Sequence, residues 1–356
     1  LSLLLNNHLN LPFIKRMVQW HFNYYLLGRG TPVSAGVYII DSCNYKCKMC
    51  DIRLKDNPAI YPRETQERDI DALSQLGVIY YSISGGEPTL VPDLPERLTY
   101  AAKKIPYVHL VTNGSTMTRE LAKKLGNTGV REISISIDGM EDFQNAVRGV
   151  SNAFHKAWNA LSLLSEHAPN VQIVINSVLS QNNVASLRKL IKKLDQEFPK
   201  ILRKYLPLTN HQLFLTSERE TTELPGKTAS LEDLNIFIKD AIADPKVVNS
   251  KVFLLKAFLF LSGQEDVLDE QKRCLYPYHS IEFDTQGHAY PCITGSKESN
   301  RGSYNNLKNY ILSSEYKERQ QSMESCDKCR GSMMLCYYEP RLNFPLHNLV
   351  SGFFKS

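Results

Sequence analysis

From Gly36 onward, short apolar runs alternate with longer stretches of helical periodicity. Residues 37–40 read as a first strand and 63–77 as a helix ending near Gly77. Strands follow at 79–84, 108–112, 132–137 and 171–179, with helices at 95–104, 118–126, 152–167 and 184–198 between and after them. A sixth strand is expected at 212–216. Strands and helices in strict alternation imply parallel strands joined by right-handed crossovers. Six such units are fewer than the eight of a closed barrel. The expected fold is therefore α/β, a partial (β/α)6 TIM-like barrel with its chemistry at the C-terminal strand ends.

The flanks differ. Before the first strand, Ile14, Met17, Val18, Phe22 and Tyr25 recur at helical spacing, with Trp20 close by. Residues 1–40 contain Lys15, Arg16 and Arg29 and no acid. Two readings stay open for this helix: packing on the main domain, or lying in an interface against a membrane or a lipidic substrate. Lys15 and Arg16 keep its apolar run below the roughly 18 residues of a membrane span, and no signal-peptide pattern occurs. After the sixth unit, residues 217–230 form a polar connection with Pro225 and Gly226, and helices are expected at 231–243 and 248–262. Irregular sequence follows from Arg273. The expected organisation is an N-terminal helical segment at 1–34, a core at 35–216, a helical linker at 217–270 and a small cysteine-rich C-terminal domain at 271–356.

Composition adds one unusual feature. The 356 residues are 42% hydrophobic and 22% charged, which suits a large folded core and excludes a disordered chain. Lys and Arg total 42 against 37 for Asp and Glu, without the basic stripe that nucleic-acid binding requires. The eight cysteines, however, are clustered: Cys43, Cys47 and Cys50 lie together, as do Cys326, Cys329 and Cys336. They are too sparse for a secreted disulfide scaffold, and clustered thiols in a long chain point to metal.

Cys43, Cys47 and Cys50 form a CxxxCxxC pattern just beyond the first strand. Three soft thiolates on one loop can hold an iron–sulfur cube and leave one iron open; a zinc knuckle is the alternative on spacing alone. At the end of the second strand stands Gly85-Gly86-Glu87-Pro88. Its glycines admit a ligand close to the backbone, and their carbonyls with the Glu87 carboxylate can accept from an ammonium group.

With these two motifs, residues 36–216 resemble the radical S-adenosylmethionine enzymes. The resemblance implies that Cys43, Cys47 and Cys50 bind a [4Fe–4S] cluster whose fourth iron takes S-adenosylmethionine. Gly85, Gly86 and Glu87 would receive the methionine amino group, Pro88 would shape the turn, and the Met49 backbone would border the adenine. Asn113, at the end of the third strand, joins the expected cofactor site. Ser136 and, more weakly, Asn176 are ribose or carboxylate candidates, and the Arg148 guanidinium would bind the methionine carboxylate. Each has a plainer reading: a strand hydroxyl for Ser136, a cap or surface charge for Arg148, and for Asp138 a turn-forming role.

Cys274, Cys292, Cys326 and Cys329 supply four further thiolates, enough for a closed cluster or a structural zinc. The Cys-x12-Gly-x4-Cys spacing from Cys274 to Cys292 resembles the SPASM and Twitch extensions, which carry auxiliary [4Fe–4S] clusters. The full SPASM pattern has seven cysteines and this region has five, so the resemblance implies one auxiliary cluster, with Cys336 as an alternative ligand. The family's chemistry implies an enzyme that cleaves S-adenosylmethionine reductively and abstracts a substrate hydrogen atom, fed by a low-potential reductant such as flavodoxin or ferredoxin. The chain's short N-terminal flank leads us to expect a hydrophobic or small natural-product substrate ahead of a peptide needing a leader-binding domain. A cytoplasmic enzyme, with or without peripheral membrane contact, is expected. A non-catalytic iron–sulfur or zinc carrier is the reading from another class; it gives the Gly-Gly-Glu-Pro turn no purpose.

Overall fold

A computed structural model of the chain describes residues 11–28, 30–52, 58–209, 224–264, 274–294 and 306–326, with 328, 329 and 333. Helix α1 (Leu11–Leu27) precedes the repeating units. These run β1 (Ser34–Tyr38), α2 (Arg63–Gln75), β2 (Tyr80–Ser84), α3 (Leu94–Lys104), β3 (Tyr107–Thr112), α4 (Arg119–Gly126) and β4 (Glu132–Ser136). Then come α5 (Glu141–Arg148), α6 (Ala153–His167), β5 (Gln172–Leu179), α7 (Val184–Glu197) and β6 (Leu202–Pro207). Helices α8 (Leu231–Ala243) and α9 (Lys251–Leu261) follow, then α10 (Tyr276–His279), β7 (Ser280–Phe283), β8 (Ala289–Tyr290), α11 (Leu307–Leu312) and α12 (Ser314–Ser322).

The strands form one sheet in the order β6-β5-β4-β3-β2-β1-β7-β8, parallel except for the β7–β8 hairpin. Two expectations change. The sixth described strand is β6, and residues 212–216 lie outside the described residues. Arg203 and Lys204 disguise β6 in the sequence; Pro207 ends it at the sheet edge, where a missing amide is tolerated. In addition, β7 joins the core sheet, pairing with β1 from Ser34↔Ser280 to Val37↔Phe283.

Period-2 alternation divides the sheet into two faces. Val37, Ile83, Leu110, Ile133 and Ile173 share one register row and pack under the helices in the main core. On the other face, the row Gly36, Ser82, His109, Glu132 and Gln172 is polar. His109 is bonded by Tyr80 Oη at 2.7 Å and Ser82 Oγ at 2.9 Å on Nδ1, and by Ser134 Oγ at 2.8 Å on Nε2. Tyr107 Oη donates to Glu132 Oε2 at 2.7 Å.

Below this network, at the N-terminal strand ends, α1 closes the sheet. Trp20 and Tyr24 pack with Val33, Ile79, Tyr107 and Tyr278, and Trp20 Nε1 donates to Tyr278 O at 2.9 Å. Arg16 donates to Gly77 O at 2.7 Å and Pro32 O at 3.1 Å. The helix is thus docked, but by a different face from the one its sequence periodicity suggests: Val18, Phe22 and Tyr25 point outward. Among the described residues no helix is long and apolar enough to cross a membrane.

Candidate active site

The site begins where β1 ends. Ile39 N donates to Ser84 O at 2.9 Å, after which the chain turns through Asp41 and Ser42 into the cysteine loop. Gly86 N donates to Ile40 O at 2.7 Å and Glu87 N to Ser42 O at 2.9 Å, so the Gly-Gly-Glu turn lies flat against the loop's first limb. Here the glycines are obligatory. A β-carbon on Gly85 would stand 2.5 Å from Ile40 O, and one on Gly86 2.0 Å from Ser42 O.

The loop's second limb is held by the end of α5. Lys46 N donates to Arg148 O at 3.1 Å and Lys48 N to Val147 O at 2.9 Å. Gly149, at φ 66°, closes α5 in the left-handed region, where a β-carbon would approach Lys46 O to 2.4 Å. The CxxxCxxC segment is therefore clamped between the turn after β2 and the cap of α5. Sequence periodicity missed α5 because it is only eight residues long and begins at Glu141, directly after the strand-end Asp138-Gly139.

All three thiols are half-buried and none is in a disulfide. Burial pushes the Cys43 thiol up to about 11 and raises Cys50 as well. Arg148 Nη1 donates to Cys47 Sγ at 3.8 Å, and Nη2 stands 2.7 Å from Asp138 Oδ2 as an ion pair rather than an aligned hydrogen bond. Burial works against the Arg148 cation, yet Asp138 and Cys47 hold its pKa above the ordinary value. Burial raises Asp138 against the pull of Arg148. Asp138 Oδ1 accepts from Val178 N at 2.8 Å, so this carboxylate anchors Arg148 to β5, a positioning role that turn chemistry alone does not suggest.

Glu87 is buried and heavily engaged. Its Oε1 accepts from Thr89 N at 3.0 Å and Thr112 Oγ1 at 2.6 Å, and Oε2 from Asn113 N at 2.7 Å. Burial raises its pKa while these bonds oppose the rise. Of its two oxygens, Oε2 retains acceptor capacity for an outside donor. The Gly85 and Gly86 carbonyls accept no hydrogen bond among the described residues. Pro88 opens a single 3₁₀ turn, Pro88–Leu90. Asn113 reaches the cysteine loop, its Nδ2 donating to Asn44 Oδ1 at 3.0 Å. Met49 is half-buried on the turn between Cys47 and Cys50. Ser136 and Asn176 are register partners at the ends of β4 and β5, two residues before Asp138 and Val178. Asn176 Oδ1 and Arg148 Nε are buried without a hydrogen-bond partner. Tyr45 Oη, inside the loop, is likewise unpartnered, a residue that sequence reasoning passed over.

These residues fit a cluster with an amino-acid ligand: three thiols on one loop, free carbonyls and a carboxylate for an ammonium, and a buried guanidinium and amide with open valences. Among the described residues no three His, Cys, Asp or Glu converge as on a single ion. A four-iron cube takes each thiolate on its own iron and spaces them more widely.

The second cysteine set is only partly described. Cys274 N donates to Glu324 O at 2.9 Å, two residues from Cys326, whose N donates to Met323 O at 3.1 Å. Glu282, on β7, accepts from Tyr276 Oη at 3.1 Å and from Ile293 N at 2.6 Å, which draws the segments around Cys274 and Cys292 to one strand. Cys329 is described, and Cys336 lies outside the described residues.

A family model described as the Radical SAM superfamily matches residues 37–194. The Fe-coproporphyrin III synthase of Methanosarcina barkeri is 30% identical over 192 residues, 51% of this chain; the chain spans 48% of that relative's length. The mycofactocin maturase MftC of Mycobacterium tuberculosis is 28% identical over 330 residues, 86% of this chain and 79% of the relative. Among solved structures, Streptococcus suis SuiB bound to S-adenosylmethionine shares the fold with TM-score 0.63 at 17% identity, over 89% of this chain and 75% of that one. Residues 37–194 are thus a domain of the radical SAM superfamily, which works with a [4Fe–4S] cluster and S-adenosylmethionine, followed by a cysteine-rich region resembling a SPASM/Twitch extension.

Proposed function

We propose that this chain is a radical SAM enzyme acting on a C–H bond of a peptide. The observation that supports the chemistry is the clamping of Cys43, Cys47 and Cys50 against the Gly85–Gly86 turn and Arg148. When bound, such a cluster would supply the electron for reductive cleavage of S-adenosylmethionine to methionine and a 5′-deoxyadenosyl radical, and hydrogen-atom transfer to that radical would give 5′-deoxyadenosine and a substrate radical. The chain's own contribution is binding and orientation. Cys43, Cys47 and Cys50 would hold the cluster. The carbonyls of Gly85 and Gly86 with Glu87 Oε2 would take the ammonium, and Arg148, steadied by Asp138, the carboxylate. Ser136 and Asn176 would meet the ribose, and Met49 and Asn113 would border the cofactor. A second cluster at residues 271–356 would use Cys274, Cys292, Cys326 and Cys329, with Cys336 as alternative. Flavodoxin or ferredoxin would supply the electrons.

The peptide reading rests on the relatives. The similarity that runs along 86% of this chain is to a maturase, and other relatives include a PqqA peptide cyclase of Bradyrhizobium diazoefficiens. We therefore place a peptide ahead of the lipid or small natural product expected from the sequence. An iron porphyrin is the second reading, favoured by the 30% identity to Fe-coproporphyrin III synthase, although over only half the chain.

The test is anaerobic reconstitution followed by reduction. The protein should form 5′-deoxyadenosine from S-adenosylmethionine, and Cys47→Ala should abolish it; no turnover in the wild type would leave the electron-carrier alternative, and an unchanged rate in that variant would sink the assignment of the cluster site. Deuterium transfer into 5′-deoxyadenosine from labelled candidate peptides or from a labelled tetrapyrrole precursor of an iron porphyrin then separates the two substrate readings.

A further inference from the structure

The outer face of α1 carries a contiguous apolar stripe that the fold leaves open. Val18 is 64% exposed, Phe22 55%, Tyr25 52% and Leu26 68%, at helical spacings that put all four on one side. Ten large hydrophobic side chains are exposed among the described residues, and four of them are here, so the stripe is a concentration and not scatter. The helix cannot turn to bury it. Arg16, Trp20 and Tyr24 fix the opposite face to Gly77, Pro32 and Tyr278.

The charge on α1 itself is positive; acids enter on the side of α12, where Glu318 is exposed and Glu324 accepts from Tyr278 Oη. Lys15 is exposed one turn before Val18, on the same side. No acid occurs before Asp41, and residues 1–10 hold five leucines. Helices in this fold run antiparallel to the strands, so their last turns come down to the end of the sheet that α1 covers. Lys103 and Lys104 stand in the last turn of α3, and Lys123 and Lys124 in that of α4, all exposed. Lys104 pairs with Asp71 at 2.8 Å; Lys103, Lys123 and Lys124 pair with no acid among the described residues. Of the other acids near these helix ends, Asp195 is held by Arg203 and Lys246, Glu197 by Lys193 at 2.5 Å, and Glu166 stands beside His167 at 3.5 Å.

We infer that this end of the barrel docks on an anionic lipid bilayer, with the α1 stripe entering the headgroup boundary and the lysines facing lipid phosphate. An aromatic and aliphatic stripe with a lysine at its rim is suited to lying in that interface, and each nearby lysine adds attraction to an anionic surface. Docking here leaves the cysteine loop free, because the loop lies at the C-terminal strand ends, across the full length of the sheet. The chain would meet the bilayer with its closed end and its substrate with its open end.

Flotation of the full-length protein with vesicles tests this. Vesicles containing 30 mol% phosphatidylglycerol (about one lipid in three) should carry the protein upward, pure phosphatidylcholine should carry at least roughly tenfold less, and raised salt should release it. Phe22→Asp with Leu26→Asp should lower binding at least roughly tenfold with an unchanged thermal transition, since both side chains are exposed. Lys15→Glu should weaken binding to the anionic vesicles alone. Wild-type protein that stays at the bottom of every gradient overturns the proposal. So does equal flotation of the double variant, or lipid-free self-association that the double variant abolishes, which would make the stripe an interface between copies. S-adenosylmethionine binding should be the same in all variants, so failure here is separate from failure of the radical SAM reading.

Discussion

Gly86 has no space for a side chain. A β-carbon there would come within 2.0 Å of Ser42 O, a backbone atom of the cysteine loop that cannot swing aside. Gly86→Ala should push residues 42–43 away from the turn, at about 1–3 kcal/mol of overpacking. Iron loading of the reconstituted protein should fall, and full loading with an unchanged melting curve would contradict the clamp. The Arg148–Asp138 pair makes a sharper test because Asp138 is buried and the Arg148 side chain only 12% exposed. Arg148→Gln leaves a buried carboxylate without its cation, and that loss costs about 3–5 kcal/mol. Asp138→Asn keeps the bond from Val178 N and strands the less buried partner, a guanidinium 12% exposed against 1% for the carboxylate, so it should cost less. Urea denaturation of the two variants decides; a negligible loss in Arg148→Gln would mean that the ion pair is not what holds the strand ends.

At the scale of elements, the units carrying strong periodicity were legible and the short ones were not. Strands β2 to β5 and helices α2 to α4, α6 and α7 fall within a few residues of their expected bounds, because their apolar positions recur at clean spacings of two or three to four. Residues 37–40 read as the first strand, but the ladder starts at Ser34 since Ser34 and Gly36 face the polar side and carry no apolar signal. The same polar side hid His109, Glu132 and Ser134 as a network, for nothing in sequence tells a lumen-facing polar residue from a solvent-facing one. The cysteine spacing and the Gly-Gly-Glu-Pro turn announced the candidate site. Asp138 as the partner of Arg148, and the Asn113–Asn44 bond, needed three dimensions. Most opaque was the four-residue β7, whose place beside β1 is a long-range pairing. Its hairpin reaches the cysteine loop, with Thr285 Oγ1 donating to Asp41 Oδ2 at 2.5 Å in a buried contact. Thr285→Val should remove that bond at about 1–2 kcal/mol. Hydrogen exchange at residues 41–43 should quicken; unaltered exchange would show that the hairpin does not brace the loop.

Over the whole molecule, one sheet carries the cysteine loop above, a polar network in the middle and α1 below, and the middle layer makes stability depend on pH. Burial pushes His109 down to about 4 against the opposing pull of Glu132, and His279 down to about 3. Both imidazoles are therefore neutral in the folded protein near pH 7. The unfolded chain takes up protons below about pH 6.5, while the folded chain resists until its own lower values. The unfolded state thus binds more protons through this window. The stability contributed by neutral burial is complete above about 6.5 and is lost as pH falls toward 4. For His109 alone the loss approaches about 3 kcal/mol at the bottom of the window. His109→Gln breaks the bonds to Tyr80, Ser82 and Ser134 and should be less stable than wild type at pH 7. Between pH 6.5 and 4.5, however, its stability should decline more shallowly, by close to one proton's uptake. Urea midpoints of the two proteins across that range test the argument, since the carboxylates other than Glu132, which His109 helps to hold low, titrate alike in both and cancel in the difference. Parallel curves would mean that His109 is already charged in the folded protein, paired with Glu132, which lies 3.3 Å from its Nε2.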